Sequence, residues 1–321
     1  MNGIPLKNVI WTVSDGRVGM LNQCKGLAEA IGLPHENKTV HPRFPWTWAP
    51  VSSWPAPFLA LSTDSSSFEP PWPKIVIGCG WRAIPYVIEV KRRSGGKTFA
   101  VQLQDPKVST EIFDLVVPPE HDGLTGANVT SIIGSPNSVT SASLARAEKQ
   151  WRSFFQSFRN PRIAVLIGGT SKSHRFNEDD ALALSAQLLT LSGKGYSILA
   201  TTSRRTGKAQ TEILRQTLKL PNAFLWNGEG DNPYLGMLAL ADAILVTSDS
   251  TNMMVEAAGT GKPVHIVPLK CTNEKFTKLT DRLKERNIAR DFIGEIQNWT
   301  YQPLNETARI AELIRRKLSQ S

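Results

Sequence analysis

Short apolar runs alternate with amphipathic stretches along the whole chain, and this alternation predicts strands that are followed by helices. In the first half, the predicted strands are residues 8–13, 75–77, 98–102 and 113–117, and the predicted helices are 20–31 and 86–93. In the second half, the predicted strands are 163–167, 197–200, 223–225, 243–246 and 264–267, and the predicted helices are 178–191, 208–219 and 234–240. This order is typical of parallel sheets with crossover helices.

The chain is long enough for two domains. Its 321 residues exceed what one core usually takes and suit two domains of about 150 residues each. A helical pattern over residues 139–158 ends at Asn160-Pro161, a natural stop, and a last amphipathic helix covers residues 305–318. We expect an N-terminal domain over residues 1–140 and a C-terminal domain over 160–302, each an α/β Rossmann-like domain.

Composition narrows the partners. The net charge is +9, but the cationic residues are spread along the chain with only short clusters at 91–93, 204–205 and 315–317. The sequence contains no helix-turn-helix, RNP-type strand or zinc module, so we expect no nucleic-acid partner. A basic balance also suits anionic small molecules or an anionic membrane surface.

Targeting and redox signals favour a cytoplasmic protein. No apolar run approaches the roughly 18–20 residues that span a bilayer, and the N-terminus lacks the pattern of a secretory signal. The three cysteines, Cys24, Cys79 and Cys271, are widely spaced and indicate reduced thiols. The spacing of potential ligands predicts no metal site and no bound cofactor. We expect a cytoplasmic location, peripheral on the inner membrane face.

An unusual insert separates the first strands. Residues 41–73 contain eight prolines and four of the nine tryptophans: Trp46, Trp48, Trp54 and Trp72. So much proline excludes regular helix or sheet over most of the insert. Two interpretations stay open: a stiff loop whose aromatic rings pack on the domain, or an exposed aromatic surface that contacts a membrane or a hydrophobic acceptor.

Polar loops follow the strands of the first half, where open parallel sheets place ligands. The loop that begins at Ser14 offers Asp15 as a catalytic group, and Arg17 and Asn22 as ligand-binding groups. The alternative is a tight turn with an internal Asp15–Arg17 pair. After the next strands, Asp105 and His121, with the neighbouring carboxylates Glu120 and Asp122, are candidates for general acid–base chemistry.

Further polar loops follow the strands of the second half. The first of them is rich in glycine and hydroxyl groups and suits an anion, with Gly168, Gly169, Thr170, Ser171 and Lys172 as candidates. It is too short for a P-loop. The second contains Ser203 and Arg204, which either clamp a phosphate or simply begin a helix.

The segment 246–268 reads as strand, polar loop, helix, glycine turn and strand. The helix opens behind a polar loop, so its amide groups and dipole favour a phosphate or ribose. The candidate ligands here are Ser248, Asp249, Ser250, Asn252 and, deeper in the helix, Glu256. The alternative is an ordinary strand–helix unit that binds nothing.

This segment resembles the nucleotide-sugar signature of GT-B type glycosyltransferases and UDP-sugar 2-epimerases. The matching residues are Asp249-Ser250, Glu256 and Gly261-Lys262-Pro263, and in those families a Glu seven residues before the proline holds the ribose hydroxyls. Thr251-Asn252 replaces the Gly-Gly pair of those families. The resemblance implies two Rossmann-like parallel-sheet domains facing a cleft, with a last helix within 303–321 packing back on the first domain.

Over its full length the chain resembles the "elongated mitochondria" family of mitochondrial fission proteins. The resemblance rests on seven ordered motifs: SDGRxGxxNQ, GCGWR, QxQDP, PPxHD, IGGTSK, TTSRRT and TSDSxNMxxEA. It implies the fold strongly and the chemistry weakly. The leading hypothesis is a glycosyltransferase that takes a nucleotide-sugar as donor substrate and acts on a membrane or cell-envelope acceptor. The alternatives are a non-catalytic membrane-associated adaptor of the division type and an enzyme similar to nucleotide-sugar 2-epimerases.

Overall fold

A computed structural model describes residues 6–50, 54–171, 173–272 and 277–320. Its strands are β1 (Leu6–Ser14), β2 (His35–Thr39), β3 (Trp72–Cys79), β4 (Phe99–Leu103), β5 (Leu115–Val117), β6 (Arg162–Ile167), β7 (Ser197–Thr202), β8 (Ala223–Trp226), β9 (Ala243–Thr247), β10 (Val264–Val267) and β11 (Ala289–Asp291). Its α-helices are α1 (Val18–Ile31), α2 (Ile84–Arg93), α3 (Ser141–Trp151), α4 (Glu178–Gly193), α5 (Lys208–Thr217), α6 (Tyr234–Leu240), α7 (Thr251–Ala258), α8 (Thr277–Glu285) and α9 (Glu306–Gln320).

The chain divides into two compact units. The first is Met1–Ser138 together with Asn305–Ser321, and the second is Val139–Leu304. Helix α9 therefore belongs to the first unit, where it packs against α1. Within that unit, Arg315 donates hydrogen bonds to the carbonyls of Ala30 and Ile31, near the end of α1.

The first domain is built on one five-stranded parallel sheet in the order β2-β1-β3-β4-β5. Alternate side chains of β1 face opposite sides: Val9 and Trp11 join the core beside α2, and Ile10 joins the core beside α1 and α9. Both faces of the sheet are thus covered, which explains the apolar runs in its strands β3, β4 and β5.

The Pro/Trp-rich insert contains both buried and exposed aromatic residues. Trp54 and Trp72 are buried and pack edge-on against Tyr86 and Trp11, at ring-centroid distances of 6.0 and 5.9 Å. Phe44, Trp48 and Leu59 are exposed large apolar residues, with Trp48 at 87%. The insert therefore supplies part of the core and also presents an apolar surface.

The second domain contains a six-stranded parallel sheet in the order β11-β10-β9-β6-β7-β8. Its central strand β6 is buried throughout after Arg162, and its side chains join the core formed with α4 and α5. The prediction of two parallel-sheet, Rossmann-like domains is confirmed. Among the described helices, none is both long enough and apolar enough to cross a membrane.

The sequence pattern missed three elements and overextended one. Strand β2 (HENKT) is polar throughout and pairs only with β1, at the edge of the sheet, so it lacks an apolar signature. Helix α8 and strand β11 were also not predicted. The helix predicted over residues 139–158 ends at Trp151, and turns follow it.

Candidate functional site

The glycine loop after β6 holds a carboxylate of the chain itself. The amide of Gly169 donates a 2.8 Å hydrogen bond to Asp249 Oδ2, and Thr247 Oγ1 donates to Asp249 Oδ1 at 2.7 Å. The Gly168 amide donates to Thr247 Oγ1 at 2.8 Å. A Cβ on Gly168 would lie 2.2 Å from both Asp249 carboxylate oxygens, so only glycine allows this approach.

Arg205 completes the group around Asp249. Its Nη2 lies 2.8 Å from Asp249 Oδ2, its Nη1 donates to the Gly169 carbonyl at 3.2 Å, and the Asp249 side chain is fully buried. Gly168, Gly169 and Asp249 were predicted to bind a nucleotide-sugar, and that role stays a prediction. In this structure their polar groups bind one another and fix the loop, because a buried carboxylate requires several donors.

The rest of this loop is also internally bonded. Thr170 Oγ1 donates to the Phe176 carbonyl and accepts from its amide, both at 3.2 Å. Ser171 Oγ accepts from the amides of Ser173 and His174 at 3.3 and 3.1 Å. Lys172, the remaining candidate of the loop, lies outside the described residues. The hydroxyl groups thus shape the turn.

The two candidate residues in the loop after β7, Ser203 and Arg204, have different surroundings. Ser203 Oγ accepts from the Arg205 amide at 3.1 Å, which turns the chain so that Arg205 reaches Asp249. Arg204 is exposed and lines a shallow depression of about 540 Å³ with Lys208 and Arg215. Arg205, the second arginine of this loop, is the one that contacts the buried carboxylate of Asp249.

Helix α7 begins where β9 ends. Ser248 Oγ accepts a 2.9 Å hydrogen bond from the Leu269 amide, so it ties this loop to the segment after β10. Ser250 is the N-cap residue and is buried, yet its side chain makes no capping hydrogen bond. Asn252 lies in the first turn and is half-buried. The first turn of α7 therefore presents amide groups beside Ser250 and Asn252.

Glu256 lies one turn further along α7 and is half-buried. Its Oε2 accepts a 2.5 Å hydrogen bond from the Tyr234 hydroxyl at the start of α6, and within the described part of the chain Oε1 has no side-chain partner. Burial raises the pKa of Glu256 to about 7, although the hydrogen bond from Tyr234 acts in the opposite direction. A carboxyl with a pKa near neutral and an available oxygen is suited to accept hydrogen bonds from the hydroxyl groups of a ligand.

Lys262 has a structural role. Its Nζ donates to the carbonyl of Leu238 at 2.7 Å and to that of Ala239, at the end of α6. Burial lowers the pKa of Lys262 to about 8, while Asp242 and Glu148 act in the opposite direction. The lysine of the Gly-Lys-Pro segment therefore caps α6, the helix that carries Tyr234.

In the first domain, Asp15 is paired as the alternative interpretation expected. Arg17 Nε contacts both carboxylate oxygens at 3.1 and 2.9 Å, and Arg82 Nη1 lies 3.7 Å from Oδ2. Burial favours protonation of Asp15, but the hydrogen bonds and charge of Arg17, with the charge of Arg82, outweigh it and lower the pKa. Asp15 is therefore a weak proton acceptor near neutral pH, and its catalytic role stays a prediction.

Beside this loop lies a cluster of three side chains, Gln23, Cys79 and Gln104, whose contacts the sequence motifs did not predict. Gln23 Oε1 is 3.3 Å from Cys79 Sγ and 3.4 Å from Gln104 Nε2. Gln104 adopts a left-handed backbone with φ of 72° immediately after β4. The signal available in the sequence was that Gln23 and Gln104 each come after a strand of the same sheet, β1 and β4. Arg17 and Asn22, the predicted ligand-binding groups here, are both exposed.

The candidates for acid–base chemistry lie after β4 and β5. Asp105 Oδ1 accepts from the Lys107 amide at 2.8 Å, and its carboxylate forms an ion pair with Lys107 Nζ. His121 Nε2 lies 3.8 Å from Asp122 Oδ1. The hydrogen bond and charge of Asp105 raise the pKa of Lys107, and the charge of Asp122 adds to this effect. Lys107 thus contacts Asp105 and is within the electrostatic influence of Asp122.

No group of three or more His, Cys, Asp or Glu side chains suited to a metal ion occurs among the described residues. The polar groups described above in each domain are carboxylates with arginine, lysine, tyrosine or amide partners. Such groups suit hydroxyl-rich and anionic ligands.

Solved structures of low sequence identity share the fold. A UDP-GlcNAc 2-epimerase from Methanocaldococcus jannaschii is similar with a TM-score of 0.56, at 14% identity, over 98% of this chain and 100% of that one. A UDP-GlcNAc 2-epimerase from Neisseria meningitidis, solved bound to UDP-GlcNAc, gives a TM-score of 0.52 at 12% identity, over 98% of this chain and 100% of that chain. The chain has the GT-B fold that these enzymes share.

Two relatives match at the sequence level. The mitochondrial fission protein ELM1 of Arabidopsis thaliana is 32% identical over 280 residues, which cover 79% of this chain and 66% of the plant protein. The uncharacterized protein RP120 of Rickettsia prowazekii is 26% identical over 354 aligned positions, covering 95% of this chain and 97% of that protein. The model of the family described as "Mitochondrial fission ELM1" matches residues 18–318. The chain therefore belongs to the Mitochondrial fission ELM1 family.

Proposed function

We propose that this protein is a glycosyltransferase that binds a nucleotide-sugar on its second domain and transfers the sugar to an acceptor at a membrane or cell envelope. Glu256 is the observation that carries the proposal. Its carboxyl has a pKa of about 7, and it keeps one oxygen without a side-chain partner among the described residues. It also lies seven residues before Pro263, the spacing that resembles the ribose-binding glutamate of nucleotide-sugar enzymes.

The surroundings of Glu256 suit a diphosphate beside the ribose. Asp249 is turned towards Gly169 and Arg205, so its charge is neutralised and does not repel a phosphate at the start of α7. Ser250 and the first-turn amides then supply donors, and the helix dipole favours negative charge. Thr251 and Asn252 stand in place of two glycines, and their side chains leave less room for a diphosphate at the start of α7.

The similar structures support this class of donor. The Neisseria meningitidis epimerase was solved with UDP-GlcNAc, and one structure of the Methanocaldococcus jannaschii epimerase contains UDP-GlcNAc and UDP. Transfer is favoured over epimerisation because the insert of the first domain presents an apolar surface that an enzyme acting on the free nucleotide-sugar does not need.

Calorimetric titration with UDP-, GDP-, ADP- and CMP-sugars tests the donor site. We expect saturable binding of at least one, and a loss of about tenfold or more in Glu256→Gln, since hydrogen bonds to a charged group contribute about 1.5–3 kcal/mol. Glu295→Gln, at a side chain that is 72% exposed on the same domain, is the matched control and keeps the parent affinity. If the parent binds none of these compounds, the proposal fails and the adaptor hypothesis replaces it.

The acceptor half of the proposal rests on the exposed face of the insert. Phe44, Trp48 and Leu59 are 81%, 87% and 71% exposed, and the backbone bond from Arg43 N to Ala60 O brings the two ends of this face together. Exposed aromatic and aliphatic side chains beside arginine suit an anionic bilayer interface.

Co-sedimentation with vesicles that contain an anionic lipid tests this surface. We expect the double variant Phe44→Ser, Trp48→Ser to pellet several-fold less than the parent. Leu182→Ser, at an apolar residue of the second domain that is 55% exposed, serves as the control. Equal pelleting of the double variant and the parent would show that the insert does not contact the membrane.

A further inference from the structure

A cavity of about 530 Å³ lies on the flank of the first domain. One wall comes from the insert (Trp54, Pro57), one from α2 (Pro85, Ile88) and one from the segment after β4 (Val108, Ile112). The volume is in the range of small-molecule sites, and the lining is mainly apolar. Its floor is therefore suited to a hydrocarbon chain.

The charged residues of the cavity divide into a buried anion and exposed cations. The Glu89 side chain is 5% exposed, and both Arg92 and Arg93 contact it, at 2.7 Å each. Arg92 is 67% exposed, and Lys107 is 79% exposed at the opposite wall. Two arginines share Glu89 and Lys107 pairs with Asp105, so three cations stand against two carboxylates and these groups together carry a net positive charge.

We propose that this cavity binds a lipid that has a single apolar chain and a phosphate head, as the acceptor or part of the acceptor. The chain lies along Trp54, Ile88 and Ile112, and the phosphate lies between Arg92 and Lys107. This proposal deepens the proposed function. Only the role of the lipid as an acceptor rests on that function, because lipid binding itself does not require a nucleotide-sugar.

Two features favour this ligand over a peptide or a free anion. The short 3₁₀ turn Pro57–Ala60 supplies Pro57 to the cavity and also carries Leu59 on the exposed apolar face of the insert. A lipid in a bilayer that contacts this face would therefore be adjacent to the cavity. The second feature is Lys107, which lines the cavity together with Val108 and Ile112, so a cation and apolar side chains are offered to the same ligand.

Titration calorimetry of the full chain with n-dodecyl phosphate, below its micelle concentration, tests the proposal. We expect one saturable site. Lys107→Glu, which reverses a rim charge, and Ile112→Glu, which places a charge on the chain path, each weaken binding by about tenfold or more. Because Ile112 is 39% exposed and Lys107 is 79% exposed, both variants leave the core intact.

Matched controls separate the site from a general charge effect. Lys97→Glu changes the same charge at another exposed lysine of the first domain, and Ile293→Glu changes an isoleucine of the second domain that is 69% exposed. Both should bind n-dodecyl phosphate within twofold of the parent. Thermal unfolding of all four variants checks that the fold is kept.

Two comparison ligands identify the chemistry. Inorganic phosphate and n-dodecanol should each bind at least tenfold more weakly than n-dodecyl phosphate. Equal competition by inorganic phosphate overturns the role of the apolar lining, and equal binding of dodecanol that is insensitive to Lys107→Glu overturns the role of the cations. No saturable binding by the parent overturns the site as a whole.

The donor titration distinguishes this inference from the proposed function. If n-dodecyl phosphate does not bind but a nucleotide-sugar does, only the lipid site is lost. If n-dodecyl phosphate binds and no nucleotide-sugar does, the lipid site stands and the glycosyltransferase proposal fails.

Discussion

Glu256 makes the stability of the second domain depend on pH in a way that one substitution should remove. The variant Glu256→Gln keeps the shape of the side chain and an oxygen for the Tyr234 hydroxyl but has no titrating proton. Burial raises the pKa of Glu256 from 4.5 to about 7 in the folded protein. Since one pKa unit corresponds to about 1.4 kcal/mol, the shift corresponds to about 3 kcal/mol of unfolding free energy.

The sign follows from proton binding. Between pH 4.5 and 7 the folded protein keeps the proton on Glu256, and the unfolded chain releases it. The contribution of this group is therefore fully present below pH 4.5, and it is lost as the pH rises through 7. The unfolding free energy of the parent should fall by about 3 kcal/mol from this source between pH 4.5 and 8, and that of Glu256→Gln should lack this fall.

Hydrogen-exchange mass spectrometry on peptides from β9 measures the unfolding free energy of this domain from pH 5 to 8. The informative quantity is the difference between parent and variant at each pH. His174 and His265, whose pKa values burial lowers, titrate in both proteins and cancel in that difference. A difference that stays constant within about 0.5 kcal/mol over this range would refute the assignment of a raised pKa to Glu256.

Three further substitutions test the packing around the candidate groups. Gly168→Ala places a Cβ 2.2 Å from the Asp249 carboxylate and should lower the stability by about 1–3 kcal/mol in thermal unfolding, while Gly193→Ala, with nothing within 4 Å, should not. The unfolding free energy of Asp15→Asn, measured in urea at pH 7, should be about 1–2 kcal/mol below that of the parent. Because the pKa of Asp15 is lowered, this difference should persist at pH 5 and disappear only below about pH 4. The pKa of Lys262 is lowered to about 8, so the unfolding free energy of the parent should rise by about 3 kcal/mol between pH 8 and 10.5. The unfolding free energy of Lys262→Met should show no such rise. Equal pH dependence of the two proteins would contradict the buried ammonium.

The fold was largely predictable from the sequence because its strands are buried on both faces. Such strands appear as apolar runs, as in β6 and β9, and the helices between them carry apolar faces. Strand β2 escaped because an edge strand with the sequence HENKT buries little apolar surface, and its position depends on pairing with β1. Such pairing is a long-range property that no local pattern reports.

The aromatic residues of the insert show that composition alone does not predict which side chains are buried. Trp48 and Trp54 are six positions apart in the same Pro-rich segment, yet Trp54 is 8% exposed and Trp48 is 87% exposed. The difference arises because Trp54 meets Tyr86 of α2, at 6.0 Å between ring centroids. A sequence pattern could predict that the insert is either core or surface, but the contact with α2 assigns each ring to one of them.

Asp249 and Glu256 show the same limit at the candidate site. Both are carboxylates of one loop–helix segment, and the sequence predicted both as ligand-binding. Asp249 instead receives donors from Gly169, 80 positions earlier, and from Arg205, so its charge is used within the fold. Glu256 receives one side-chain donor, from Tyr234 on a neighbouring helix, and its pKa is raised. Because the number of donors around each carboxylate is set by distant residues, the motif alone could not predict that Asp249 lies in a buried ion pair while the pKa of Glu256 is raised.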